Sequence, residues 1–313
     1  MRFLALSLSL FCVSASSAVI AQGGGAPFTV LETGRGYGRL QDAVNAIGSG
    51  SGTVEIASGR YRDCAVQNGG AVTYKAAVPG GAVLSGGICE GKAALVLHGR
   101  SARVEGLVFE GMAVSDGNGA GIRLETGDLV IDNSLFRDSQ QGLLTASFPR
   151  GSIAITRSTF SGLGTCEFSG GCAHSIYVGD YGSLTVANSR FEAGNGGHYV
   201  KSRAPRVRIV DNSFDDSRGR ATNYMIDLPY GATGVISGNE MVQGKDKENY
   251  SAFIALGAEG KENSSNGLSI SGNGARFVPG VKRSSALLAD WSGDHVSLGN
   301  NDIVAGIKPL DRR

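Results

Sequence analysis

Short apolar stretches of alternating character, divided by Gly and Asn, run along most of this chain, and one of them recurs with a fixed internal spacing. With its first apolar residue as anchor, copies start at Val104, Ile131, Ile155, Val186, Ile209, Ile236, Ile270 and Leu298, at intervals of 27, 24, 31, 23, 27, 34 and 28 residues. Five positions after the anchor stand Phe109, Phe136, Phe160, Phe191, Phe214, Met241 and Ile303, with Ala275 breaking the column. Three positions after it stand Ser134, Ser158, Ser189, Asn212, Asn239, Asn273 and Asn301. About ten residues before each anchor runs a second short strand pattern, at 121–124, 142–144, 175–178, 198–201, 225–228, 253–256 and 287–289. A period of this length marks a solenoid, in which each unit buries its apolar face only against its neighbours. Two or three strands of period two per repeat, with turns of Gly and Asn and no helix, exclude leucine-rich and helical arrays. The expected fold is all-β, a single-domain right-handed parallel β-helix.

In such a coil, equivalent residues stack about 4.8 Å apart. The Phe column predicts an aromatic pile inside the cylinder, each ring contributing about 1.5–3 kcal/mol on burial. The Asn column predicts a turn where the amide tolerates unusual backbone angles and hydrogen-bonds along the stack. One helical pattern stands apart: Leu40, Ala43, Val44 and Ile47 share a face at i, i+3, i+4, i+7, and Gly48 follows as a stop. This N-terminal helix, 39–47, is expected to cap the open end of the cylinder, which would otherwise show bare core and unpaired edges.

The 29 basic and 28 acidic side chains leave a formal charge of +1, so nothing global draws the chain to nucleic acid or an anionic membrane. A polyanion site has to be a local patch. Residues 1–21 read as a secretory signal: Arg2, an apolar run from Phe3 to Val13, and Val19-x-Ala21 before the cut. The run is too short to span a bilayer. The β-helix domain is expected over 22–313, in the periplasm or secreted. Export leaves Cys64, Cys89, Cys166 and Cys172 as two disulfides. Of the three pairings, 64 with 89 and 166 with 172 are favoured, because 25 residues is about one repeat. No Cys-x-x-Cys or zinc-type His spacing speaks for a metal.

The opening RLQDAVNAI, followed by GTVEIASGRYRD, and the repeats behind it resemble the pectate-lyase-like superfamily of right-handed parallel β-helix proteins. The resemblance covers nearly the whole chain after residue 21. It implies a carbohydrate-active protein, since that superfamily holds polysaccharide lyases, hydrolases, uronate epimerases, esterases, tailspikes and non-catalytic surface proteins. Fold alone does not choose among them.

The residues narrow the choice. Aligning coils by their inward positions makes Ile176, Val200 and Ile226 one buried column. His174 and His198 then stack two residues earlier, and Tyr177, Lys201 and Asp227 form an outward column, with Arg203 along the same face and Arg123 further up. This basic cluster suits β-elimination on a uronate polymer, which needs a base for the C5 proton, a cation beside the C6 carboxylate and a proton donor for the leaving oxygen. Lys201 is the expected base, provided that Arg203 and partial burial lower its pKa. Arg203 is expected to hold the carboxylate as a planar fork. Tyr177 or His198 is expected to give the leaving-group proton, with His174 positioning His198. Arg123, Tyr199, Arg206 and Asp227 are expected to bind substrate.

In the alginate-lyase branch, the resemblance implies a Lys base and an Arg acid. The acidic trio of a calcium-dependent pectate lyase is not found, so no cofactor is expected. Asp215 and Asp216 offer a hydrolase alternative. A non-catalytic polysaccharide binder is the alternative from another class, and epimerisation shares the first proton abstraction. A monomer is expected, with acidic polysaccharide as its partner and no nucleic acid or membrane span. The charged insertions 244–250 and 257–267 are read either as solvated decoration or as groove walls.

Overall fold

The corner after each anchor carries the architecture. In the computed structural model, which describes residues 25–168 and 171–313, Gly106, Asn133, Arg157, Asn188, Asp211, Gly238 and Gly272 all have φ between 47° and 68°. Each lies two residues after its anchor, so one left-handed residue per coil turns the chain from a first sheet into a second. Gly and Asn take this conformation cheaply, and Arg157 occupies it at a cost of about 1 kcal/mol. The expected position for unusual backbone angles was the next residue along, the Ser/Asn column. That column serves hydrogen bonding instead.

The Ser/Asn column forms a continuous polar ladder. The backbone N–H of Ser134 donates to Ser158 Oγ, that of Ser158 to Ser189 Oγ, and that of Ser189 to Asn212 Oδ1. Those of Asn212, Asn239 and Asn273 continue it to Asn239, Asn273 and Asn301. Each Asn amide also donates back to a carbonyl of an earlier strand, as Asn239 Nδ2 does to Ile209 at 2.9 Å. The ladder thus pairs the backbone N–H of Ser134, Ser158, Ser189, Asn212, Asn239 and Asn273, as a buried turn requires.

Each coil places one strand in each of three sheets, as Asp128–Asp132, Leu135–Arg137 and Gln141–Thr145 do in one coil. From Ser51–Ile56 onward the strands pair in parallel, in register except for a shift between Phe148 and Ser152: Ile131 lies between Val104 and Ile155, and Phe136 between Phe109 and Phe160. The rings of Phe109, Phe136, Phe160, Phe191 and Phe214 pile face to face at centroid separations of 4.7, 4.8, 5.0 and 4.8 Å. This is the spacing of the sheet itself. Met241, Ala275 and Ile303 continue the column in register. The chain is an all-β parallel solenoid with its core along the axis.

The helix Leu40–Ile47, the only α-helix among the described residues, buries Leu40, Ala43 and Val44. Its first N–H finds no side-chain cap on Arg39; Asp63 Oδ2 accepts from Leu40 N at 3.0 Å. Gln41 exchanges two hydrogen bonds with the backbone of Val66, tying the helix to the third sheet. The strands Phe28–Val30 and Arg35–Tyr37 join the edge of the first sheet in antiparallel fashion, a feature absent from the sequence pattern. The disulfides are Cys64–Cys89 and Cys166–Cys172, the pairing expected from spacing. The expected signal segment, 1–21, lies outside the described residues. No described helix is long and apolar enough to cross a membrane.

Candidate functional site

The third sheet carries the chemistry on its outer face. Parallel register sets Arg123, Leu144, Tyr177, Lys201 and Asp227 in one outward column, one residue per coil. Beside it stand the rings of His174, His198 and Tyr224, at 4.9 and 5.8 Å between neighbours. Arg203 follows the strand Val200–Ser202. Its backbone N–H donates to Val178 O at 3.0 Å, which aims the guanidinium back across the column. There Arg203 donates to the Tyr177 hydroxyl and lies over two rings, 5.2 Å from the centre of Tyr177 and 4.7 Å from that of Tyr230.

Lys201 is only 7% exposed. Its ammonium lies 3.4 Å from Asp227 Oδ2 and donates to Glu259 Oε1 at 2.5 Å, while Arg203 donates to Glu259 Oε2 at 2.7 Å. One carboxylate thus bridges the two cations. Glu259 comes from the insertion 257–267. Sequence reasoning missed it because no periodicity links an insertion to a strand 58 residues earlier. The available signal was topological: the insertion leaves the sheet directly after Ala252–Leu256, two coils along from Lys201.

The electrostatics follow from burial and from these pairs. Burial pushes the Lys201 amine down, but Asp227 and Glu259 more than offset it, and the net shift is upward. The lowered pKa expected of a base is therefore not met while Glu259 sits in place. Burial raises Asp227 to about 6 against the pull of Lys201. Burial lowers His174 to about 3, with the charge of Lys201 adding to the effect, and His198 is likewise held well below its usual value. His174 Nδ1 accepts from the His198 backbone N–H at 3.0 Å, which assigns its ring proton to Nε2. A buried neutral imidazole is a poor acid, so the expected donor role of His198 passes to Tyr177. Burial raises the Tyr177 phenol, with Arg203 opposing, and it stays protonated at neutral pH.

Tyr177 and Arg203 form one end of a groove of about 600 Å³ that continues past Arg123 to Lys92. Glu125 pairs with both Arg123 and Lys92, at 3.1 and 2.9 Å. Two expected substrate contacts are corrected. Tyr199 is 1% exposed and points inward, its ring tilted against Phe191 and Phe214 and its hydroxyl donating to Asp216 at 2.7 Å. Arg206 opens the strand Arg206–Val210 of the first sheet, around the corner from the groove.

The hydrolase pair falls with Tyr199. Asp216 is fully buried and accepts from Tyr199, Thr222 and the Gly244 N–H, with the buried Lys247 ammonium at 3.1 Å. It is an anchor for the insertion 244–250, which is tucked in by Lys247 rather than solvated throughout. Asp215 is paired with Arg190. The carboxylates nearest Lys201, those of Asp227 and Glu259, are likewise paired with cations. Among the described residues, one trio has metal-ligand spacing, Cys166, Cys172 and Glu248, and its two sulfurs are spent in a disulfide.

Residues 87–225 match a family described as right handed beta helix region. Over that stretch the family match and the parallel three-sheet coil agree. The resemblance to the pectate-lyase-like superfamily therefore holds at the level of the fold. Two solved structures align with this β-helix: a PL6 family alginate lyase, AlyGC, with TM-score 0.53 and 14% identity over 85% of this chain, and the Streptococcus pneumoniae surface protein and adhesin PfbA, with TM-score 0.52 and 13% identity over 87% of this chain. The chain spans 39% of the length of the alginate lyase and 94% of that of the adhesin. No curated protein matches the sequence. At these identities the likeness is one of fold.

Proposed function

We propose that this β-helix is an exported protein, closed at its N-terminal end by the helix Leu40–Ile47, that binds an acidic polysaccharide along the third sheet and cleaves it by β-elimination. One observation carries the reading: a buried Lys, a guanidinium and a phenol converge at the end of a groove that runs on past Arg123 and Lys92. The three uses are distinct. Arg203 takes the C6 carboxylate of a uronate and stabilises the charge that develops there. Lys201, as free amine, takes the C5 proton. The C5–H electrons form the C4–C5 double bond, the C4–O bond breaks towards oxygen, and the Tyr177 hydroxyl protonates that oxygen, with Arg203 at hand to stabilise the phenolate. Arg123 and Lys92 hold further carboxylates along the chain. His174 and His198 support the column from beneath.

The likeness to an alginate lyase supports this reading, and the likeness to an adhesin supports a second one. A Lys201 held charged by two carboxylates is also what a binding surface would show. The two readings separate on unsaturated product. Chain 22–313 is incubated with polymannuronate, polyguluronate, polygalacturonate and a glucuronate polymer, and ultraviolet absorbance is followed. The lyase reading expects absorbance with at least one polymer and a loss of about 10³-fold or more in Lys201→Ala, the scale of a missing general base. Retention of a polymer without absorbance leaves the binder. An unchanged rate in Lys201→Ala removes Lys201 as base.

A further inference from the structure

We propose that Glu259 is a tethered stand-in for the substrate's carboxylate: it fills the place on Arg203 where a uronate carboxylate binds, and substrate displaces it. The inference rests on the functional reading above and goes beyond it, assigning a built-in competitor to the same site.

The geometry is that of a bound ligand. The two Glu259 oxygens are divided between the two cations, Oε1 to the Lys201 ammonium and Oε2 to the Arg203 guanidinium. A uronate C6 carboxylate held by Arg203 takes the Oε2 place, and Lys201, released from Oε1, is freed to act at C5. Both carboxylates cannot occupy the place together, since two like charges in one partly buried site exclude each other.

The fold has no need of Glu259 there. Lys201 keeps a counter-ion in Asp227, 3.4 Å away, and Arg203 keeps the rings of Tyr177 and Tyr230. The insertion that carries Glu259 stretches one coil to 34 residues and adds nothing to the sheets.

Displacement is also cheap. The backbone of the insertion is fixed independently: Gly257 N–H donates to Leu228 O, Glu259 and Gly260 N–H to Pro229 O, and Asn263 Nδ2 to Arg203 O. The Glu259 side chain is 39% exposed, so rotation about its own bonds carries the carboxylate into solvent without opening the loop. What it leaves is a Lys–Arg pair at the end of the groove that runs past Arg123. A competitor of this kind lowers apparent affinity by the fraction of time it occupies the site.

Glu259→Gln tests the proposal, because the amide keeps the shape and drops the charge. Binding of mannuronate, guluronate and galacturonate hexamers is measured by calorimetry, with mannohexaose as the neutral control. All three proteins, the parent, Glu259→Gln and Glu259→Ala, carry Tyr177→Phe so that the hexamer is not consumed. The expected result is affinity for a uronate hexamer at least 10-fold tighter in Glu259→Gln, the same gain in Glu259→Ala, no change for mannohexaose, and an unchanged melting temperature. Equal or weaker uronate binding in both Glu259 variants overturns the competitor and leaves the functional reading standing. No uronate binding by any of the proteins overturns both.

Discussion

His174 shows what burial does to a single side chain here, and its effect is measurable as a pH dependence of stability. The unfolded chain takes up a proton at His174 near pH 6.5, the folded protein only near pH 3. A depressed folded pKa contributes stability that is fully present above 6.5 and is lost as pH falls towards 3, at up to about 1.4 kcal/mol per pH unit. Asp227 acts in the opposite sense: its folded value, raised to about 6, favours the fold at low pH and is lost as pH rises through that value. We expect His174→Gln to flatten the acid limb of the stability curve between pH 6.5 and 3 relative to the parent, read by urea titration at a series of pH values. Gln belongs in this column, since Gln141 precedes His174 there, and its oxygen can accept the His198 N–H. An unaltered acid limb removes His174 as the group responsible.

At the scale of an element, the polar ladder and the aromatic pile divide the work of each coil. Asn239 is fully buried, accepts from the backbone and side chain of Asn212, and donates to Ile209 O and Asn273 Oδ1. Asn239→Ala strands these partners and is expected to cost about 3 kcal/mol. Asn239→Ser keeps one acceptor, as the chain does at Ser134, Ser158 and Ser189, and should cost less. Chemical denaturation of both variants checks the order. The strands, the Phe column and the outward register of Tyr177, Lys201 and Asp227 were legible in the sequence because period two and the fixed spacing around each anchor determine them. Tyr199 was misplaced because alternation stops at a corner: it precedes the strand Val200–Ser202, so Tyr199 and Val200 both turn inward. Arg206 was misplaced for the same reason, the corner at Ala204 and Pro205 carrying it to another sheet. Glu259 had no periodic neighbour to announce it.

Over the whole molecule, cross-links supplement a core that is stacked rather than globular. Each coil holds its neighbours only, so local loosening at one end is opposed by few long-range contacts. Cys64–Cys89 joins two successive coils across 25 residues near the helix. By loop-closure entropy its removal in Cys64→Ser/Cys89→Ser should cost roughly 3–4 kcal/mol, and Cys166–Cys172, which spans 6 residues, roughly 2 kcal/mol. A melting comparison in which the short cross-link matters more would show that it acts on the folded segment before His174 rather than on the unfolded chain. The polar ladder has a direction as well. Every backbone N–H of the ladder lies in the earlier coil and its side-chain acceptor in the later one, as with Ser134 and Ser158, so the backbone at each of these corners is satisfied only by the next coil. A nascent chain, appearing from its N-terminus, is therefore locked one storey at a time from behind, and the growing tip is always the part still waiting for its bolt.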